Sequence, residues 1–189
     1  RTLGLYLRYT EDGQHLENRR LKGRITKAHR KQGDDKLIIF SLGAVAQNNM
    51  RFEYDDGGRK EAGYKGDTRD CVTRAIAIAT DKPYQEVYEA LFDGSRSLKL
   101  LSERGKSPRT GVRRKVYDKY LEAIGWKFVP TMSFGSGCKV HLREDELPKG
   151  RIIVRLSHHL SVVIDGVIYD TFQDDRNGTR CVYGYYQHI

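Results

Sequence analysis

The sequence predicts an α+β fold, with helices first and an antiparallel sheet after them. Three observations carry this expectation. Apolar residues recur at helical spacing between residues 71 and 124, β-branched and alternating runs dominate from Trp126 onward, and an Asp-Gly step joins two such runs near the C-terminus. A first helix begins at Cys71, with Asp70 as acceptor for the first-turn N–H groups and Val72, Ala75, Ile76 and Ala79 as its apolar face. Thr80-Asp81-Lys82 ends it. A second helix opens on Pro83, carries Tyr84, Val87, Tyr88 and Leu91 on one stripe, and stops at Gly94. A basic loop through Pro108 leads to a third, from Gly111 to Ile124, which Gly125 terminates. Strands are then expected at Lys127–Pro130, Arg151–Leu156, His159–Ile164, Val167–Thr171 and Cys181–Tyr186.

Upstream of this, residues 1–66 read as a basic N-terminal extension, β-rich or irregular, and residues 67–189 as the α+β domain. Leu37–Phe40 is a candidate strand. Arg51–Tyr54 alternates and runs into Asp55-Asp56-Gly57-Gly58, a hairpin-turn signal.

A chain of 189 residues supports one domain with its own core and a small appendage. Its 38% hydrophobic content argues against wholesale disorder. No apolar run approaches the roughly 20 residues that span a bilayer, and the N-terminus shows no secretory h-region. No membrane association is expected, and the location expected is cytoplasmic. Cys71, Cys138 and Cys181 are too few and too far apart for a disulfide framework and read as reduced thiols. Cys138 and His141 have i, i+3 spacing, but no second pair completes a zinc site. No metal or cofactor is expected. The net charge of +9 favours an acidic partner.

The segment Leu160-Ser161-Val162-Val163-Ile164-Asp165-Gly166-Val167-Ile168-Tyr169-Asp170 selects a histidine. Asp-Gly between β-branched runs predicts a two-residue type I′ turn. Ile164 then faces Val167, Val163 faces Ile168, Val162 faces Tyr169, and Ser161 faces Asp170. Alternation puts His159, Ser161 and Asp170 on one face and turns His158 to the other. His159 and Asp170 become diagonal neighbours about 7–8 Å apart at Cα, within reach of each other's side chains. Both faces of this hairpin are otherwise apolar, so an ionisable pair there should satisfy itself or serve a site.

Cys71 completes the constellation. A thiol becomes a good nucleophile only as thiolate, and the first turn of a helix lowers its pKa through free N–H groups and the macrodipole. Nearby Arg69 and Arg74 act in the same direction. An imidazole can then hold the ion pair and a carboxylate can fix its tautomer.

A helix-borne Cys71, then His159 at a strand start, then Asp170 one strand later is similar in order to the papain-like thiol peptidase superfamily. Asp70-Cys71 resembles the bacteriocin-leader-processing peptidases. Asp70-Cys71-Val72-Thr73-Arg74-Ala75 and the run from His159 to Gly166, ending in Tyr169-Asp170-Thr171, resemble uncharacterised phage and bacterial proteins with a papain-like core. The resemblance covers about residues 66–187. It implies a nucleophile at the N-terminus of a central helix packed on the sheet, with Cys71, His159 and Asp170 as catalytic residues. It also implies a bacterial host cytoplasm or a virion as the setting. Where papain-like enzymes place an oxyanion-hole glutamine, about six residues before the nucleophile, this chain has Lys65; Thr68 and Gln173 are the other candidate donors.

Two functions are compatible with these features. One is a cysteine-dependent hydrolase or acyltransferase cleaving a peptide, isopeptide or amide bond through a thioester on Cys71. The other is a catalytically degenerate scaffold that binds nucleic acid or an acidic protein. Arg96, Lys99, Arg104, Lys106, Arg109, Arg113, Arg114 and Lys115 would form its acidic-partner surface.

Overall fold

Strand-forming sequence is clustered at the C-terminus, and the sheet is assembled mostly from that third of the chain. The computed structural model describes residues 50–66, 68–98 and 107–189. Three helices, α1 (Cys71–Thr80), α2 (Tyr84–Ser97) and α3 (Arg114–Ala123), pack on a six-stranded sheet. Its strands are β1 (Arg51–Tyr54), β2 (Trp126–Pro130), β3 (Arg151–Leu156), β4 (His159–Ile164), β5 (Val167–Asp170) and β6 (Gly184–His188). They lie in the order β1-β5-β4-β3-β6-β2. The fold is mixed α and β, as expected. The expected strand at Leu37–Phe40 lies outside the described residues.

The Asp165-Gly166 turn sets the central register. Both residues have positive φ, 48° and 85°, and β4 pairs with β5 as Val162–Tyr169, Val163–Ile168 and Ile164–Val167. Ser157 and His158 make the other tight turn, which pairs Leu156 with His159. His158 (φ 57°) is exposed at its tip.

Several expectations are corrected. The sheet is mixed rather than antiparallel, because β1 pairs in parallel with β5, and a strand therefore precedes the helices. Arg51–Tyr54 does not enter a hairpin. The Asp55 and Asp56 carboxylates accept the N–H groups of Gly57 and Gly58 at 2.7 and 3.0 Å, which winds the chain into a turn toward α1. A Cβ on Gly57 (φ 65°) would lie 3.0 Å from the Arg74 carbonyl oxygen, so this close approach needs glycine. Arg51–Tyr54 thus belongs to the same sheet as the C-terminal strands, and Met50 to the core on its outer face, so the boundary expected at residue 67 does not separate these residues from the rest. Gly94 does not end α2 either. It sits inside the helix with Val116 of α3 against it, where a Cβ would meet Val116 Cγ1 at 3.1 Å. The last strand starts three residues later than expected, and Cys181 makes only an isolated bridge with His141.

Two apolar layers enclose the sheet. On the helix side, Ile76, Val87, Leu91 and Leu121 pack with Ile153, Leu160, Val162 and Tyr186. On the other, Met50, Leu142, Leu147 and Val182 cover Ile152, Val154, Val163 and Ile168. α1 is buried from Val72 to Ala79, well beyond the single stripe its spacing predicts. It is the central helix.

Cys138 and Cys181 form a disulfide, with Cα atoms 5.8 Å apart, so only Cys71 is a free thiol. Val182 N–H donates to the Val140 carbonyl and Leu142 N–H to that of Arg180, which zips the two segments together and brings the sulfurs within bonding reach. The expectation of three reduced thiols fails, and with it the thiol-based argument for a reducing compartment. No described helix is long and apolar enough to cross a membrane.

Candidate active site

The start of α1, the start of β4 and the end of β5 converge at one edge of the helix layer. Cys71 is the first residue of α1, partly buried. Its thiol lies under the influence of the His159 imidazole and of the Leu160 backbone N–H, both of which favour the thiolate. On the far side of the ring, His159 Nε2 lies 2.6 Å from Asp170 Oδ2. That contact leaves Nδ1 as the nitrogen available to the sulfur. The Phe172 ring, half-exposed, tilts against the imidazole at 5.2 Å between centroids.

Burial alone would raise the thiol pKa. The hydrogen bond and charge of His159, the Leu160 N–H and the field of Arg74 outweigh it and hold Cys71 below its ordinary value. Burial likewise opposes the imidazolium, but hydrogen bonds to Asp170 and Cys71 and their charges carry His159 up to about 9. Burial also disfavours ionised Asp170, yet the His159 hydrogen bond and charge and the Thr171 N–H at 2.7 Å keep it below the usual carboxylate range. Each shift favours the same microstate, a thiolate, an imidazolium and a carboxylate in a row.

A second tier of charge stands behind this row. Arg74, one helical turn past Cys71, is buried; its Nε is 2.9 Å from Asp70 Oδ1 and its Nη1 is 3.4 Å from Asp170 Oδ1. Nη1 also donates to the Thr171 hydroxyl. Asp70 does not cap α1 as expected: its side chain makes no cap hydrogen bond. The carboxylate turns inward instead, toward Arg74, the Tyr84 hydroxyl at 2.7 Å and Arg59 Nε at 2.8 Å. Three strong partners outcompete the backbone donors of a helix end. Asp70 and Arg74 are an i, i+4 pair, so their contact was legible in the spacing; the bridge onward to Asp170 was not.

No protein-family model matches this chain. No curated protein and no solved structure matches it either.

None of the candidate oxyanion donors is among the groups that act most strongly on the sulfur. Lys65 is exposed, and its carbonyl accepts from Arg59 and Arg109. Thr68 acts on the Asp70 carboxylate and favours its ionised form. Gln173 spends its amide N–H groups on the Met50 carbonyl and Asp175, each at 3.3 Å.

The proposed acidic-partner residues are only partly described; Lys99, Arg104 and Lys106 lie outside the described residues. Arg96 is near Asp93 (3.9 Å) and over the Phe92 ring, Arg109 donates to the Lys65 carbonyl, and Arg114 pairs with Asp118 at 3.0 Å. Arg113, Arg114 and Lys115 are exposed where α3 begins.

Proposed function

We propose that the chain is a cysteine-dependent hydrolase or acyltransferase acting on a peptide, isopeptide or amide bond, built on a papain-like core. The observation that carries this reading is an imidazole held at 2.6 Å by a buried aspartate, acting on the one free thiol among the described residues, which stands at the start of a buried helix. The order of the three residues along the chain adds to it.

The Cys71 thiolate adds to the carbonyl carbon, forming a C–S bond and an oxyanion. Imidazolium His159 gives its proton to the departing amine as the C–N bond breaks, which leaves a thioester on Cys71. Neutral His159 then takes a proton from water or an acceptor amine, whose oxygen or nitrogen attacks the thioester. The C–S bond breaks and the thiolate returns. Asp170 holds the ring so that one nitrogen faces sulfur throughout, and stabilises the imidazolium. The net positive charge fits an acidic protein or peptide substrate.

An activity-based acyl probe should label Cys71 and no other residue, since Cys138 and Cys181 are joined. His159→Ala should slow that labelling by about 10²-fold or more. Labelling equal in wild type and His159→Ala rejects the proposal.

A further inference from the structure

We propose that Arg155 forms a subsite beside Cys71 that binds a carboxylate of the substrate. The inference rests on the thiol-enzyme reading and adds a substrate class to it.

Two observations place Arg155 near the Cys71 site. It lies directly opposite Leu160 in the β3–β4 ladder, and Leu160 follows His159 in the sequence. Cys71 and Phe128, the ring beneath the Arg155 guanidinium, pack against the same core cluster. Alternation along β3 turns Arg155 toward the helix layer with Ile153.

Its guanidinium is held by aromatic faces rather than by a counter-ion. It sits over Phe128 at 5.4 Å and over Tyr183 at 5.9 Å from the ring centroids. Nη1 is buried with no hydrogen-bond partner, and no carboxylate among the described residues lies within ion-pair distance of Arg155. Arg114 makes an instructive contrast: it stacks on the same Phe128 ring at 4.8 Å but has Asp118 as its acceptor. The cradle around Arg155 is constructed. Gly184, its partner across the β3–β6 ladder, has φ 152°, and a Cβ there would come 2.3 Å from Phe128 Cζ. Only glycine lets that ring lie across β6 against the arginine.

A buried, unsatisfied guanidinium N–H is costly, and a planar carboxylate is the ligand that matches its geometry. Arg155 is only partly buried as a residue, so its head is not sealed off. An acidic side chain and a C-terminal carboxylate share this chemistry.

Three near-isosteric alkylating probes separate these sources: bromoacetyl-glutamine amide is neutral, bromoacetyl-glutamate amide carries a side-chain carboxylate, and bromoacetyl-glutamine free acid carries a terminal one. In each, the Cys71 thiolate displaces bromide, forming a C–S bond as the C–Br bond breaks. Rates are normalised to those with free cysteine. We expect one of the two acids to react about tenfold faster than the neutral probe, as an ion pair in a partly desolvated cradle allows. The faster acid identifies the source. Arg155→Met should erase the preference, while Lys149→Gln, which removes a surface charge before the start of β3, should keep it. Should Arg155→Met not fold, Arg155→Gln takes its place. A preference that survives loss of the arginine, or none in wild type despite fast neutral labelling, overturns the Arg155 subsite alone. Neutral labelling no faster than free cysteine overturns the thiol site and the subsite together.

Discussion

Two histidine–carboxylate pairs occur among the described residues, and their differences are chemical rather than compositional. His159 Nε2 meets Asp170 at 2.6 Å with side chains 10% and 6% exposed; His141 Nδ1 meets Glu146 at 3.1 Å with side chains 32% and 24% exposed. The same Glu146 oxygen accepts the His141 backbone N–H at 2.6 Å, and its other oxygen faces Arg143 at 3.2 Å. That pair closes a short surface loop. In the first pair the carboxylate is desolvated, backed by a buried arginine, and the imidazole has a thiol on its free side. A histidine beside a carboxylate is therefore common furniture; burial and a nucleophile at the second ring nitrogen make it machinery.

The largest expected effect comes from neutralising each carboxylate in turn. Asp170→Asn should slow acyl-probe labelling of Cys71 by about 10²–10⁴-fold, whereas Glu146→Gln should leave it unchanged. The pH dependence sharpens this contrast. His159 has a folded pKa of about 9 against 6.5 unfolded, so its stabilising contribution is complete below pH 6.5 and fades as pH rises through 9. Asp170 is shifted the other way, and its contribution is complete above its ordinary value of 3.8 and fades as pH falls. The gap in Tm between wild type and Asp170→Asn should thus be widest between about pH 4 and 6.5 and should narrow toward pH 9. A gap independent of pH would mean that the pair is not ionised as described.

The arginines behind the two pairs should differ next most. Arg74→Met leaves Asp70 and Asp170 buried near each other without their shared cation, a change that costs about 3–5 kcal/mol in other buried pairs. Arg143→Met removes a partly exposed partner and should cost about 1 kcal/mol or less. Denaturant unfolding of the two variants measures both. Equal losses would show that Arg74 is merely another surface ion pair.

What the sequence disclosed tracks how local each determinant is. The Asp165-Gly166 turn contains its own register, and with it the choice of His159 and its tie to Asp170. Arg151–Leu156 and His159–Ile164 were legible with their end residues, because the β-branched runs stop abruptly at polar turns. Long-range pairings were not. Arg51–Tyr54 finds its partner at Val167–Asp170, more than a hundred residues away, and an edge strand with three of its four residues exposed carries little apolar signal. Gly94 reads as a helix stop in one dimension and is a helix–helix contact in three. Arg155 was invisible as a site residue for the same reason: its neighbours Phe128, Tyr183 and Gly184 belong to other segments. The N-cap error at Asp70 was of another kind, a local rule overridden by stronger charged partners.

The disulfide offers the mildest test of the comparison, because it belongs to the His141 side alone. It closes a loop of 43 residues and holds the segment ahead of Leu142 and Leu147 over the outer face of the sheet. Reduction, or a paired Cys138→Ser, Cys181→Ser variant, should lower stability by about 2–4 kcal/mol, chiefly by freeing the unfolded chain. Cys71 sits on the helix side with its own partners, so its labelling rate should not move. If labelling instead falls on reduction in step with stability, the two regions are coupled through the sheet, and His141 and Glu146 belong to the outer support of the site rather than to a separate loop.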